Sequence, residues 1–246
     1  MIKFLRGMLG GKASADRDKG STDAPLLKEA TPAVIWRAKD DPENPFDANG
    51  YDCHAFASSM LSTTSDPAVA DSYCEQRASD GRDRIGMVPP DAVALDCRLA
   101  YRLTEAIAEG PVFKASHMEE KWDLYLYADR LYFCRSWTGG LVFVAHCTAS
   151  DTQLAITQIL ASSSGPGMDY RYIVRQVDYL IRSHLLEQTL PHPLPTGFDR
   201  DPKAVGLFSF SQYGRRCCFG TFEETLRRDI RKTLEPPATP DPTATE

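Results

Sequence analysis

Residues 121 to 160 constrain the fold more than any other stretch. Four apolar runs follow one another there: "KWDLYLY", "LYFCRSW", "LVFVAHC" and "TQLAITQIL" (152–160). The first three are separated by Ala128-Asp129-Arg130 and by Thr138-Gly139-Gly140. Connections this short leave room only for antiparallel neighbours, so the segment predicts a β-meander of four strands. Alternation places Leu131, Phe133, Arg135 and Trp137 on one face, with Tyr132, Cys134 and Ser136 on the other.

A sheet with one apolar face needs a cover, and the sequence offers one at 169–187, "DYRYIVRQVDYLIRSHLLE". Tyr170, Ile173, Val174, Val177, Ile181, His184 and Leu185 fall at helical spacing, while Arg171, Arg175, Asp178 and Arg182 are expected to face outward. A meander packed against an amphipathic helix is an α+β arrangement. Further elements flank it. "PAVIWRAK" (32–39) and "AVALDC" (92–97) read as strands, with a turn-rich loop, "DDPENPFDANG", after the first. "SDPAVADSYCEQRA" (65–78) reads as a helix with Asp66 as its cap and Pro67 in its first turn; Val69, Ala70, Tyr73 and Cys74 share one face. "PHPLP" (191–195) reads as an extended loop, and "VGLFSFSQYG" (205–214) alternates like another strand. "TFEETLRRDIRKTL" (221–234) reads as a C-terminal helix, with Thr221 and Glu224 at capping-box spacing.

These elements define a single α+β domain over residues 26–234. Residues 1–25 are expected to form a flexible lead-in. Residues 235–246, with four prolines and no large apolar side chain, are expected to be a disordered tail. The formal charge of -6 argues against a globally basic nucleic-acid binder. No apolar run approaches the ~18–20 residues of a transmembrane segment. At the start, Lys3 and Arg6 interrupt "MIKFLRGMLGGK", which reads as a frayed terminus rather than a secretory signal. Seven cysteines without a C-x-x-C spacing point to a reduced, cytoplasmic protein.

Several groups have the chemistry for a site. Arg135-Ser136-Trp137-Thr138-Gly139 sets an arginine beside two hydroxyls and a glycine turn. Such a group can grip a phosphate or carboxylate through paired hydrogen bonds. Trp122 and Trp137 offer stacking surfaces, and Glu120 and Lys121 lie at the start of the same strands. The structural alternative is a hairpin end in which Trp137 packs inward and Arg135 pairs with Glu119 or Glu120. His184, on the apolar helix face, reads as a buried, hydrogen-bonded histidine, and no histidine pair has the short spacing of a structural zinc site. Cys217 and Cys218 follow Arg215 and Arg216, which could activate a thiol; the alternative is an ordinary strand.

Ser62-Thr63-Thr64 followed by Asp66-Pro67 resembles the strand-to-helix motif of ADP-ribosyltransferases. That resemblance implies NAD as cofactor, Arg37 holding the dinucleotide and Glu120 as the catalytic carboxylate. Met118 stands two residues before Glu120, where that family carries a Gln or Glu.

Residues 42 to about 225 also resemble a set of uncharacterised bacterial proteins. The resemblance rests on "NPF" and "MLSTTSDP", on "MEEKW" leading to "LYFCRSWTGG", and on "VDYLIRSHLL", "PHPLP" and "SFSQYGRR". It implies a shared fold and no named activity. The expected role is therefore a binding domain rather than an enzyme. Its expected partner is a protein or a small anionic ligand near Arg135, Ser136, Trp137 and Thr138. The enzymatic alternative rests on Arg37, Ser62 and Glu120.

Overall fold

The computed structural model describes residues 31–163 and 169–226. The predicted lead-in, the 235–246 tail and the predicted C-terminal helix beyond Leu226 lie outside these residues.

The meander forms as its pattern requires. Strands β5 (Trp122–Tyr127), β6 (Arg130–Arg135), β7 (Leu141–Ala149) and β8 (Gln153–Ser162) pair antiparallel in sequence order. The β5–β6 connection is tighter than expected. Ala128 and Asp129 both take positive φ, 47° and 58°, the two-residue turn whose twist matches paired strands. At the β6–β7 connection Arg135 N–H donates to Gly140 O at 2.9 Å and Gly139 N–H to Arg135 O at 2.8 Å. Two more strands extend the meander. β3 (Ala92–Arg102) pairs with β8, and β4 (Gly110–Phe113) pairs with β5, giving a six-stranded antiparallel sheet in the order β3-β8-β7-β6-β5-β4.

Both faces of this sheet are buried. Trp122, Leu124, Leu126, Leu131, Phe133, Phe143 and Ile156 belong to the main core. Tyr125, Tyr127, Tyr132, Cys134 and Val144 form a second, smaller core on the other face. Over that second core lies α2 (Pro67–Ala78), capped as expected by Asp66 Oδ1, which accepts the Ala68 N–H at 3.0 Å. Lys114 fastens it. Its Nζ donates to Gln76 O of α2 at 2.6 Å, to Asp123 Oδ2 at 2.8 Å and to the Tyr125 hydroxyl at 2.8 Å. Asp123 is buried, so this ion pair needs its hydrogen bonds: Asp123 Oδ1 also accepts the Ala115 N–H at 2.8 Å.

The main core is closed by α3 (Tyr170–Leu180), which continues as a π turn over Ile181–Leu185. Asp169 caps it through the Arg171 N–H at 3.0 Å. The expectation that Arg175 and Asp178 face water is wrong: every residue from Ile173 to Leu180 is buried. The reason is a second layer behind the helix. Strands β1 (Ile35–Arg37), β2 (Gly50–Asp52), β9 (His192–Pro193) and β10 (Phe219–Thr221) form a small sheet in the order β1-β2-β10-β9. Arg175 reaches the end of β10 and the segment after it: it donates to Thr221 O at 3.2 Å and to Glu223 O, and pairs with Glu224 at 3.7 Å. Asp178 turns toward β3 instead, where it accepts the Tyr101 hydroxyl.

Residues 205–214 are not a strand. Residues 205–213 lie within a helix, α4 (Pro202–Tyr213), with Gly214 at its C-terminal end; its N-terminal cap, Asp201, accepts the Ala204 N–H at 2.8 Å. Pro202 in the first turn has a backbone φ suited to helix, and the local start signal overrides the alternation that follows. Gly206 lets α4 approach the chain before β1, because a Cβ there would lie 2.6 Å from Val34 Cγ2. A short helix, α1 (His54–Ser59), precedes the loop that carries Ser62. Thr221 belongs to β10, and its hydroxyl accepts from Glu223 N–H, so the proposed capping box with Glu224 is not formed. Among the described residues no helix is long and apolar enough to cross a membrane.

Candidate ligand-binding site at the hairpin end

The start of β5, the end of β6 and the last turn of α4 meet at one corner of the main core. Trp122 and Arg135 are register partners on β5 and β6. Both point at the same helix end. Trp122 Nε1 donates to Gln212 O at 2.6 Å, Arg135 Nη1 donates to that oxygen at 3.2 Å, and Arg135 Nη2 donates to Ser211 O at 2.6 Å. The guanidinium lies 4.8 Å over the Trp122 ring. Arg135 therefore satisfies carbonyls that α4 cannot satisfy itself, at the negative end of the helix dipole. The alternative pairing of Arg135 with Glu119 or Glu120 is not formed among the described residues. Burial pushes the guanidinium down to about 10, and among the described residues no carboxylate pairs with it to offset the lost water.

The chain beyond β6 leaves the alternation. Ser136 is buried, its hydroxyl donating to Glu120 O at 2.6 Å. Trp137, placed by alternation beside Arg135, sits in the turn. Its Nε1 donates to Met118 O at 2.8 Å, and its ring meets Tyr73 of α2 edge-on at 6.5 Å. Thr138 is exposed, and its hydroxyl accepts the Gly140 N–H at 3.3 Å, part of the turn itself.

The tightest grouping forms around Lys121. This side chain is buried, with its Nζ 4.6 Å from the Trp137 ring centroid and 5.0 Å from that of Phe210. The amine donates to Met118 O at 2.8 Å and to Ser62 Oγ at 2.6 Å. Among the described residues no carboxylate oxygen lies within ion-pair distance. Burial, with Arg135 repelling it and Glu119 partly opposing, lowers the Lys121 amine to about 8.

Glu119 and Glu120 separate, but across a turn, closed by the Glu120 N–H to His117 O at 3.1 Å, rather than along an extended strand. Glu119 Oε1 accepts the Ser62 N–H at 3.0 Å, and Oε2 lies 3.6 Å from His117 Nδ1. Burial alone would raise the Glu119 carboxyl; the N–H groups of Ser62 and of Glu119 itself outweigh it and hold it below the usual range. Glu120 turns to Ser116, whose N–H and hydroxyl it accepts at 2.5 and 2.9 Å, and to Arg216 at 3.7 Å. Gly214, at the end of α4, makes the approach possible: a Cβ there would lie 1.7 Å from Glu119 O.

Ser62, Glu119, Lys121 and Trp137 are thus brought together, with Arg135 and Trp122 just behind them. Thr138 and the Glu120 carboxylate have other partners. Arg37, on β1, pairs with Asp41 at 3.2 Å and with Glu43. No hydrogen bond or ion pair joins it to Ser62 or Glu120 among the described residues.

Two other candidates change character. Cys217 and Cys218 carry thiols raised by burial, Cys218 to about 11 despite the backbone hydrogen bonds that lower it; neither is an activated nucleophile. His184 is buried with Nδ1 2.8 Å from Ser183 Oγ and its ring edge-on to Phe113 at 4.8 Å. A separate cavity of about 650 Å³ opens between the β3–β4 loop and the π turn, lined by Arg102, Glu105, Glu109, Leu185 and Glu187 among others. Comparison of the chain with protein-family models, with curated proteins and with solved structures finds no match in any of the three.

Proposed function

We propose that this protein is a cytoplasmic binding domain that takes a small anionic ligand at the Lys121–Ser62–Trp137 corner. One observation carries the reading. A buried ammonium stands beside a second cation, Arg135, and among the described residues no carboxylate reaches ion-pair distance of either. Holding two such cations together costs folding free energy, and an arriving anion relieves that cost. The half-buried Ser62 and Trp137 border the amine: a hydroxyl to share a ligand oxygen and an aromatic face to stack on. Seven free cysteines, five of them buried, support a reducing compartment.

The test is calorimetric titration at pH 7 and low salt with inorganic phosphate and inorganic pyrophosphate. Wild type is expected to bind at least one of them. Lys121→Met is expected to weaken that binding ~10–100-fold, the value of a charge-assisted hydrogen bond. Binding should weaken above pH about 8, where the amine loses its proton. Failure of both anions to bind, or equal binding by Lys121→Met, overturns the reading.

A further inference from the structure

The Ser62 hydroxyl and the Lys121 amine have a relationship beyond anion binding. They lie 2.6 Å apart, the separation of a nucleophile and its base. The amine also donates to Met118 O, and the Trp137 and Phe210 rings flank it. Ser62 is positioned through its backbone, its N–H given to Glu119 Oε1. The following N–H groups, of Thr63 and Thr64, are engaged by no other group of the described residues. They come where donors to a developing oxyanion are found in serine acyl-transfer sites, directly after the nucleophile. Leu61, the residue before Ser62, is strongly exposed at 72%.

We infer that Ser62 and Lys121 form a nucleophile–base pair for acyl transfer, acting on small carboxylic esters or thioesters. This rests on the reading that ligands reach the Lys121 corner. The neutral amine accepts the Ser62 hydroxyl proton while Oγ bonds to the acyl carbon. As the tetrahedral centre collapses, its bond to the leaving alkoxide or thiolate breaks, and Lys121 returns the proton to that group. Water then attacks the acyl-Ser62 ester. Lys121 takes the water proton, the bond from Oγ to the acyl carbon breaks, and Ser62 regains its hydrogen as the carboxylic acid leaves. No oxidant, reductant or further reactant is needed. Burial of the amine favours this chemistry: at about 8, a usable fraction is neutral near physiological pH.

The experiment uses the full chain and a fluorophosphonate probe, read by intact mass and by peptide mapping. A single adduct on Ser62 is expected. Its rate of formation should rise as pH increases through about 8. Ser62→Ala, which removes one oxygen from a loop, should abolish the adduct while leaving the circular dichroism spectrum unchanged. Lys121→Met should slow it ~100-fold or more, the scale of general-base assistance. Lys121→Arg, which keeps a cation but offers no base, should be equally slow. Absence of an adduct on wild type, an adduct elsewhere that survives Ser62→Ala, or undiminished labelling of both Lys121 variants overturns the inference. The two readings fail separately. Phosphate binding without an adduct defeats acyl transfer alone. An adduct on Ser62 without binding of either anion defeats the anion site alone. Their pH profiles also run in opposite directions, since one needs the ammonium and the other the amine.

Discussion

The Tyr101 hydroxyl donates to Asp178 Oδ1 at 3.0 Å, tying β3 to α3 through the main core. Both residues are buried, and Arg182 reaches the same carboxylate from one turn away at 3.6 Å. Burial first, and then the Asp178 charge, hold the Tyr101 hydroxyl well above its ordinary value, so it is always a donor here. Tyr101→Phe removes that donor and leaves the carboxylate with one fewer partner. The expected loss is about 1–3 kcal/mol of unfolding free energy, measured by urea denaturation with an unchanged slope. A loss under about 0.5 kcal/mol would mean that water or Arg182 replaces the hydroxyl, and that the link does not hold α3 to the sheet.

This link also marks where reading the sequence stops short. Asp178 falls on the polar face of the 169–187 helix by spacing alone, and so does Arg175. Arg175 is buried against the end of β10 and the segment after it, and Asp178 against Tyr101 of β3, and no local pattern announces either contact. The meander was legible because period-two alternation and two- to five-residue connections leave one arrangement open. The α4 helix was misread because "VGLFSFSQY" alternates at period two while Val205, Ser209, Gln212 and Tyr213 also lie at helical spacing. Asp201-Pro202, ahead of the run, was the signal that decides between them.

At the site, Trp122, Arg135 and Trp137 were legible as a cluster, and Lys121 was placed beside them. Its burial was not, because lysine is ordinarily exposed and what covers it comes from elsewhere in the chain: Phe210 on α4, Trp137 beyond β6 and Ser62 before α2. The Ser62 motif drew notice for its likeness to a transferase loop. Its contacts are with Glu119 and Lys121 rather than with Arg37.

Gly214 offers a sharp test of how the corner is assembled. Its φ of 62° and ψ of -142° lie in a region that side chains avoid, and its missing Cβ makes room for Glu119 O. Gly214→Ala is expected to cost at least ~3 kcal/mol and to displace the 117–121 segment that holds Lys121. Gly86→Ala is the control: its φ is also positive, 81°, but nothing lies within 4 Å of the added methyl. It should cost only ~1 kcal/mol. Equal costs for the two variants, measured by denaturation in parallel, would show that backbone strain alone matters and that the contact with Glu119 does not.

His192 sets the acid limit of the fold. It is fully buried, its Nε2 lies 2.7 Å from Ser209 Oγ, and its ring packs between Tyr179 and Tyr213. Burial pushes the imidazole down to about 3, so the folded chain keeps it neutral while the unfolded chain protonates it below about 6.5. Between those values the unfolded state binds the extra proton. The contribution to stability is therefore fully present above about 6.5 and is lost as pH falls toward about 3. At ~1.4 kcal/mol per unit the loss is on the order of 5 kcal/mol, comparable with the whole stability of a marginal domain. His184, also held well below its ordinary value by burial, adds to it in the same direction. His192→Gln keeps a hydrogen-bonding side chain but no titration. In urea melts from pH 7 to pH 4 it should lose stability with a visibly shallower slope than wild type. Parallel slopes would mean that His192 is protonated in the folded state, and that its burial does not govern acid unfolding.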